Sequence, residues 1–510
     1  MRKPNIIFIL ADDLGYGDVS CLNPDGKIPT PCMDRLAREG VSFTDAHAAS
    51  AVCSPSRYAV LTGRYCWRTM SHGIVNVYGD PLIPPTRMTV ANLLKTQGYD
   101  TACFGKWHLG MGWHKTDKPD PFNPQILALD FTRPVSAGPA TNGFDTYFGV
   151  DVPNWPPYCF IEGDRTIGTP SIAAPFGISN EEISTPGPCL EGWKLEEILP
   201  AITRRACSHI RAKAREGKPF FIYLPLTSPH TPLAVNAPWK GKSGLNLYAD
   251  FVMETDARVG QVLDALDDAG VADDTLVVFA SDNGCARYVG VDELEAKGHF
   301  PSHIYRGYKT DAWDGGHRVP LLARWPSAAK PGRVCDRPVS LADFFATVAD
   351  ITGAAVPDNA GEDSFSFLPA LTGAGNPCRE AVIGHSFWGR FAVCKDNWKA
   401  IFAPGSGGFN GDGGRAGPSD PTALKLGLPK YQLYDMANDP GEQDNLYPAR
   451  PETTAALRAI VEDAIARGRS TPGAPQPNDL PRIEVDSDFQ SRGYSFIDDW
   501  LETNPPRSNP

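Results

Sequence analysis

Asn5-Ile6-Ile7-Phe8-Ile9-Leu10-Ala11 is an unbroken apolar run that stops at Asp12-Asp13. A strand with one wet face alternates apolar and polar residues, whereas a strand covered on both faces reads as apolar throughout. The run is short for a helix, so it predicts a strand in the middle of a buried, largely parallel sheet. The same grammar recurs along the chain. Strands are expected over Asp100–Phe104, Pro219–Leu226, Thr275–Ala280 and Val319–Trp325. Helices are expected over Pro31–Glu39, Thr89–Gln97, Leu195–Arg215, Leu247–Asp268 and Ser340–Ile351. Short apolar strands alternating with helices give an α/β fold.

Four of these strands end in polar clusters. They are Asp12-Asp13, Gly105-Lys106-Trp107-His108, Thr227-Ser228-Pro229-His230 and Ser281-Asp282-Asn283-Gly284. Open α/β sheets bind ligands beyond the carboxyl ends of their strands. One such cluster is an ordinary turn. Four on one edge of one sheet make a site.

Cys53-Ser54-Pro55-Ser56-Arg57, followed by Leu61-Thr62-Gly63-Arg64, reads as a helix. Pro55 suits the first turn, where its missing N–H costs nothing. Gly63 is a stop signal. Cys53 and Arg57 stand one turn apart, on one face. Cys53 then lies at a helix N-terminus, where free N–H groups and the dipole favour an anion. That is a setting for a nucleophile acting on a negatively charged substrate.

Asp12, Asp13, Asp282 and Asn283 offer oxygen ligands only. Carboxylates that converge repel one another unless a cation joins them. All-oxygen ligation selects a hard ion, Ca2+ or Mg2+, over zinc. Arg57, Lys106 and Lys309 supply fixed positive charge. Arginine holds a tetrahedral oxyanion through paired hydrogen bonds and lysine acts as a point charge. His108 and His230 exchange protons near neutrality. Lys309 precedes Asp314-Gly315-Gly316-His317-Arg318-Val319-Pro320. His299, His303 and Arg306 lie between Asp282 and Lys309 and are candidates for reading substrate hydroxyls or a second charge.

The 510-residue chain carries a net charge of −12. That argues against nucleic acid as a partner, because phosphate binding needs a basic face. It also disfavours a long polyanion and suits a short anionic substrate. No apolar run approaches the roughly 18 residues of a membrane span. The 12 cysteines are scattered without a C-x-x-C pair, which argues against zinc or iron–sulfur ligation and permits disulfides without demanding them. Met1 to Leu10 lacks the features of a signal peptide. The chain as written is expected to be cytoplasmic, and periplasmic or secreted if a leader was removed.

The C-x-P-S-R run with L-T-G-R downstream resembles the signature of the formylglycine-dependent sulfatases, the type I sulfatases of the alkaline phosphatase superfamily. Resemblance at matching positions spans about residues 4 to 446 and ends in Leu433-Tyr434-Asp435, Asp439-Pro440-Gly441-Glu442 and Asn445-Leu446. It implies a large central mixed, mostly parallel sheet flanked by helices. It implies a sulfuric ester hydrolase of arylsulfatase type, whose Cys53 is oxidised to formylglycine by a formylglycine-generating or sulfatase-maturing enzyme. By the same resemblance Asp12, Asp13, Asp282, Asn283 and converted Cys53 bind Ca2+, and Arg57 holds formylglycine. Hydrated formylglycine attacks sulfur with one hydroxyl, with Asp282 as proton acceptor. Lys106, Lys309 and the metal neutralise the sulfuryl oxygens, and His230, with Lys309, protonates the leaving oxygen. His108 deprotonates the second hydroxyl, which expels sulfate.

Residues 113 to 190 are rich in Pro, Gly and aromatics, among them Trp113, Phe122, Phe131, Phe144, Trp155, Tyr158 and Phe160. They are expected to form loops over the sheet edge that shape the pocket. Near residue 375 the pattern changes to short strands at Ala381–His385, Arg390–Lys395 and Trp398–Phe402, a glycine-rich stretch at Gly405–Gly417 and a helix at Thr453–Arg467. This divides the chain into a catalytic α/β domain, 1–375, and a smaller C-terminal α+β subdomain, 376–510. The Pro-rich tail from Thr471 is expected to wrap the surface or a second subunit of a homo-oligomer. The substrate reading is a small sulfated carbohydrate, a hexose or hexosamine sulfate. The alternatives are a phosphonate or phosphate ester hydrolase of the same superfamily and a sulfated-glycan binding protein whose Cys53 stays unconverted.

Overall fold

The opening apolar run forms the centre of a ten-stranded sheet in the computed structural model, which describes residues 3–175, 183–376 and 379–486. The strands are β1 (Asn5–Asp12), β2 (Val41–Phe43), β3 (Asp100–Lys106), β4 (Thr146–Val150), β5 (Ile161–Glu162), β6 (Arg165–Thr166), β7 (Phe220–Pro229), β8 (Thr275–Ser281), β9 (Leu321–Arg324) and β10 (Arg333–Cys335). Their order is β10-β2-β9-β8-β1-β7-β3-β4-β5-β6. The four strands with polar ends, β8, β1, β7 and β3, are consecutive neighbours and all parallel. Their carboxyl ends therefore share one edge.

Both faces of β1 are covered, which explains why it has no polar alternation. Ile6, Phe8 and Leu10 pack with Tyr58 and Leu61 of α2 (Cys53–Thr62) and with Phe344. Ile7, Ile9 and Ala11 pack on the opposite face with Met33 and Leu36 of α1 (Pro31–Glu39), Ile202 and Val259. At roughly 25 cal/mol per Å² of apolar area, this double burial outweighs the absence of any wet face.

Two expectations change. The strand expected over Val319–Trp325 is the shorter β9, and it runs antiparallel to both β8 and β2. This is one source of the mixed character of the sheet. The segment expected to consist of loops contains β4, paired in parallel with β3. Its Thr-Tyr-Phe-Gly-Val run is brief and flanked by turn residues, so only the open edge of β3 selects it as a strand.

The C-terminal part forms a separate four-stranded antiparallel sheet: β11 (Ala381–His385), β12 (Phe391–Lys395), β13 (Trp398–Ile401) and β14 (Gln432–Asp435). The fourth strand completes the three expected from sequence. The helix at Pro451–Arg467 covers it through Leu457, Val461 and Ala464. From the described part of the tail, the amides of Asp479 and Leu480 donate to the carbonyl of Arg68. Residues 487–510 lie outside the described residues.

A buried ionic network joins the two sheets. Lys399 Nζ on β13 lies 2.6 Å from Asp314 Oδ1, 2.8 Å from Glu442 Oε1 and 3.2 Å from His317 Nε2. His317 Nδ1 is 3.0 Å from His47 Nδ1. His47, Asp314 and His317 are metal-ligating residue types in one cluster, but the Lys399 ammonium already supplies its positive charge. Lys399→Met leaves buried Glu442 without an ion-pair partner and Asp314 with Arg318 as its remaining cation. It is expected to lower unfolding free energy by about 3–5 kcal/mol. Chemical denaturation measures this, and a loss below about 1 kcal/mol would show that the pair contributes nothing net.

Candidate functional site

α2 aims its N-terminus at the shared strand edge. Its N-cap, Val52, is extended and makes no side-chain cap bond. Pro55 sits in the first turn as expected. Gly63, at φ 64°, closes the helix with its amide on the Ala59 carbonyl. Every residue of the helix is buried. Cys53 Sγ stands 3.6 Å from Asp12 Oδ1. Arg57, one turn on, places one terminal guanidinium nitrogen 3.3 Å from Asp12 Oδ1 and 2.7 Å from Asp282 Oδ2.

Successive strand residues point to opposite faces, yet Asp12 and Asp13 both reach this centre. Asp13 has a left-handed φ of 65°, and its amide donates to Asp282 Oδ1 at 3.2 Å. The turn at the strand end thus re-aims the second carboxylate. Asn283 Nδ2 donates to Asp13 Oδ1 at 2.7 Å. Gly105 performs a related task in β3. It sits at φ 139°, and a β-carbon there would stand 1.8 Å from the Pro225 carbonyl oxygen. Only glycine lets β3 approach β7 this closely just before Lys106.

The fixed cations close the centre. Lys106 Nζ is 2.8 Å from Asp12 Oδ2, and Lys309 Nζ is 2.8 Å from Asp13 Oδ2. His230 Nε2 is 3.7 Å from Asp13 Oδ2, while its Nδ1 contacts the Thr231 carbonyl. His108, at a left-handed φ of 56°, places Nε2 3.1 Å from the Val75 carbonyl and leaves its buried Nδ1 without a hydrogen bond.

Burial dominates the proton affinities. It pushes the Cys53 thiol up to about 12, against the pull of Lys106 and Lys309. An unmodified thiol here is protonated at neutral pH and a poor nucleophile. Burial also pushes Asp282 up to about 6 despite Arg57, and His230 down to about 4. Asp12 is the exception. Burial would raise it, but Lys106, His230 and Arg57 hold it well below the usual carboxylate range. His108 is held well below its ordinary value by burial, Lys106 and Arg57.

The donor set fits a hard divalent cation. Ligand atoms of Asp12, Asp13, Cys53 and His230 lie within 4.8 Å of one another. Asn283 Oδ1 is buried beside them with no hydrogen-bond partner. An orphaned buried oxygen costs about 1–3 kcal/mol unless something coordinates it. Three carboxylates and three fixed cations balance in this centre, so a divalent ion leaves excess positive charge to meet an anion.

His299, His303 and Arg306, the candidates for reading substrate, each have partners within the protein. His299 is fully buried, with Nε2 2.8 Å from Asp18 Oδ1 and Nδ1 accepting from the Lys27 amide at 3.1 Å. The His303 ring stacks on Tyr16 with centroids 6.2 Å apart. Arg306 donates to the Glu442 carbonyl at 2.7 Å and lies 3.9 Å over the Trp313 ring. Of the aromatic segment, Trp155 reaches the centre, edge-on to His108 at 5.1 Å. Trp113, Phe131, Phe144 and Phe160 contact other aromatic rings instead.

A family model described as Sulfatase matches residues 4–354. The chain is 32% identical to an N-acetylgalactosamine-6-O-sulfatase of Bacteroides thetaiotaomicron, across 91% of this chain and 94% of that one. It is 34% identical to the steryl-sulfatase of Mus musculus, across 94% and 84% of the two chains. A solved structure from Bacteroides thetaiotaomicron, described under metabolism of multiple glycosaminoglycans, superposes with a TM-score of 0.77 at 31% identity and covers 91% of this chain and 99% of that one.

Proposed function

The chain belongs to the sulfatase family and is a sulfuric ester hydrolase, and from that premise we propose that its substrate is a small sulfated carbohydrate, a hexose or hexosamine sulfate. The observation that carries the site assignment is the meeting of Cys53 with Asp12, Asp13 and the orphaned Asn283 Oδ1, ringed by Arg57, Lys106 and Lys309. The sugar reading is supported by the N-acetylgalactosamine-6-O-sulfatase that is 32% identical across 91% of this chain.

In this reading Asp12, Asp13, Asp282, Asn283 and position 53 would hold the cation, with Ca2+ favoured and Mg2+ second, which would supply Lewis-acid polarisation of the sulfuryl oxygens. Formylglycine made from Cys53 by a maturation enzyme supplies, as its hydrate, one hydroxyl to attack sulfur and a second that permits sulfate release. Arg57 orients position 53 from one helical turn away. Lys106 and Lys309 face the developing charge on sulfate. Asp282 accepts the proton of the attacking hydroxyl. His230, aided by Lys309, hands a proton to the leaving oxygen, because a seated anion favours the imidazolium that burial alone disfavours. His108, neutral with Nδ1 free of hydrogen bonds, is placed to take the proton that triggers release. The unit at 376–510 is assigned as a subdomain that backs this centre, the boundary at 375 being supported by the change from parallel to antiparallel sheet.

No described helix is long and apolar enough to cross a membrane. The test is turnover on defined sulfated saccharides beside nitrophenyl sulfate, phosphate and phosphonate. Sulfated hexosamines are expected to give the highest kcat/KM. Preference for the phosphonate would favour the phosphonate ester hydrolase reading. Failure of converted protein on every sugar sulfate would remove the carbohydrate reading. Protein found wholly unconverted at Cys53 when isolated from its native cells would favour the glycan-binding reading.

A further inference from the structure

Lys309 is followed by a residue held in strain. Thr310 has a φ of 82°, a region that β-branched side chains rarely occupy unless the surroundings impose it. Here they do so from three directions. The Thr310 amide donates at 2.8 Å to the carbonyl of Ala51, two residues before Cys53. Its carbonyl accepts from the Phe387 amide at 2.9 Å. Its Oγ1 accepts from the Phe409 amide at 3.3 Å and from Asn410 Nδ2 at 3.2 Å.

Asn410 does more than hold Thr310. The same Nδ2 donates to the Lys309 carbonyl at 2.7 Å and to Asp311 Oδ2 at 3.0 Å. One amide group therefore touches three consecutive residues. Gly408 lets the loop come this close, since a β-carbon there would stand 2.3 Å from Asp311 Oδ1 and 2.5 Å from Thr310 Oγ1. At the other end of the corner, the Lys309 amide donates to the Cys285 carbonyl at 2.8 Å, three residues past Asp282.

We propose that Asn410, presented by the glycine-rich loop that follows β13, is a positioning residue for Lys309. It clamps the Lys309–Thr310–Asp311 corner so that the ammonium is held at the centre, within reach of Asp13 and of an anion seated at position 53. The C-terminal sheet thereby sets the geometry of a charge used by the α/β domain. The inference rests on the role given to Lys309 above.

A double-mutant cycle tests it, with every preparation compared at equal formylglycine content by mass spectrometry and checked for an unchanged thermal midpoint. Asn410→Ala is expected to lower kcat by about 10- to 100-fold, the cost of an ångström-scale misplacement. The loss should be larger on sugar sulfates than on nitrophenyl sulfate, whose leaving oxygen needs less proton transfer. In a Lys309→Ala background, the same substitution should change the rate less than about twofold. Equal losses in both backgrounds would overturn the clamp. A near-normal rate for Lys309→Ala alone would instead overturn the role of Lys309, and the clamp with it. Should Asn410→Ala not fold, Thr310→Ser, which keeps the acceptor oxygen, should retain at least about tenfold more activity than the isosteric Thr310→Val. Equal rates for that pair would overturn the proposal.

Discussion

Cys53→Ser is expected to abolish turnover, with a loss of at least about 10⁴-fold in kcat, the scale seen when a nucleophile is removed. Serine fits the space at the start of α2 and disturbs none of the bonds that Arg57 makes to Asp12 and Asp282. The fold and the cation site should therefore survive, and unfolding should be unchanged. What is lost is chemical. Serine has one hydroxyl and no route by which a second can expel sulfate, so a sulfated serine accumulates instead of product. Intact-protein mass spectrometry after incubation with substrate should show either no change or one added SO3 per chain. Steady release of sulfate over many cycles by this variant would remove position 53 from the mechanism. The wild-type thiol supports the same conclusion. With its pKa pushed up to about 12 by burial, an unconverted Cys53 is itself expected to be inactive. Activity across preparations should scale with the converted fraction.

Removal of the divalent cation is the second large effect. Asn283 Oδ1 is buried with no hydrogen-bond partner, and Asp12, Asp13 and Asp282 converge within one centre. Lys106 and Lys309 stand 2.8 Å from Asp12 and Asp13, carboxylates that a cation would share with them. Exhaustive chelation is expected to cut kcat/KM by at least about 100-fold. It should also lower unfolding free energy, by about 2.7 kcal/mol relative to protein held at a cation concentration 100 times its Kd. Adding back Ca2+ and Mg2+ separately identifies the ion. Full activity in protein shown to be free of metal would refute the assignment. Asn283→Ala should reproduce part of the loss and weaken the response to added cation, because it deletes the orphaned oxygen together with the amide that steadies Asp13.

Much of this was legible in the chain. The apolar run of β1, the polar ends of four strands and the helix signals around Cys53 are local properties, and periodicity and turn chemistry report them directly. Residues with a repeating chemical context, such as Lys106 after Gly105, could be named before any contact was known. His299, His303 and Arg306 could not be judged in this way. Proximity in sequence to Lys309 suggested a role, but Asp18, Tyr16 and Glu442 engage them from segments far away along the chain. β4 escaped notice for the same reason, since its pairing partner and not its composition makes it a strand.

By itself the sequence determined the α/β architecture, the helix that begins at Cys53 and the residue types of a centre for a cation and an oxyanion. Only the tertiary structure decided how they meet. It aims Asp12 and Asp13 together through a left-handed turn, leaves Asn283 Oδ1 without a partner, and brings Asn410 from the C-terminal sheet onto Lys309. Local propensity acts over a few residues and is written where it acts. Convergence of buried charges depends on strand order, register and close backbone approach, which no short stretch of the chain contains.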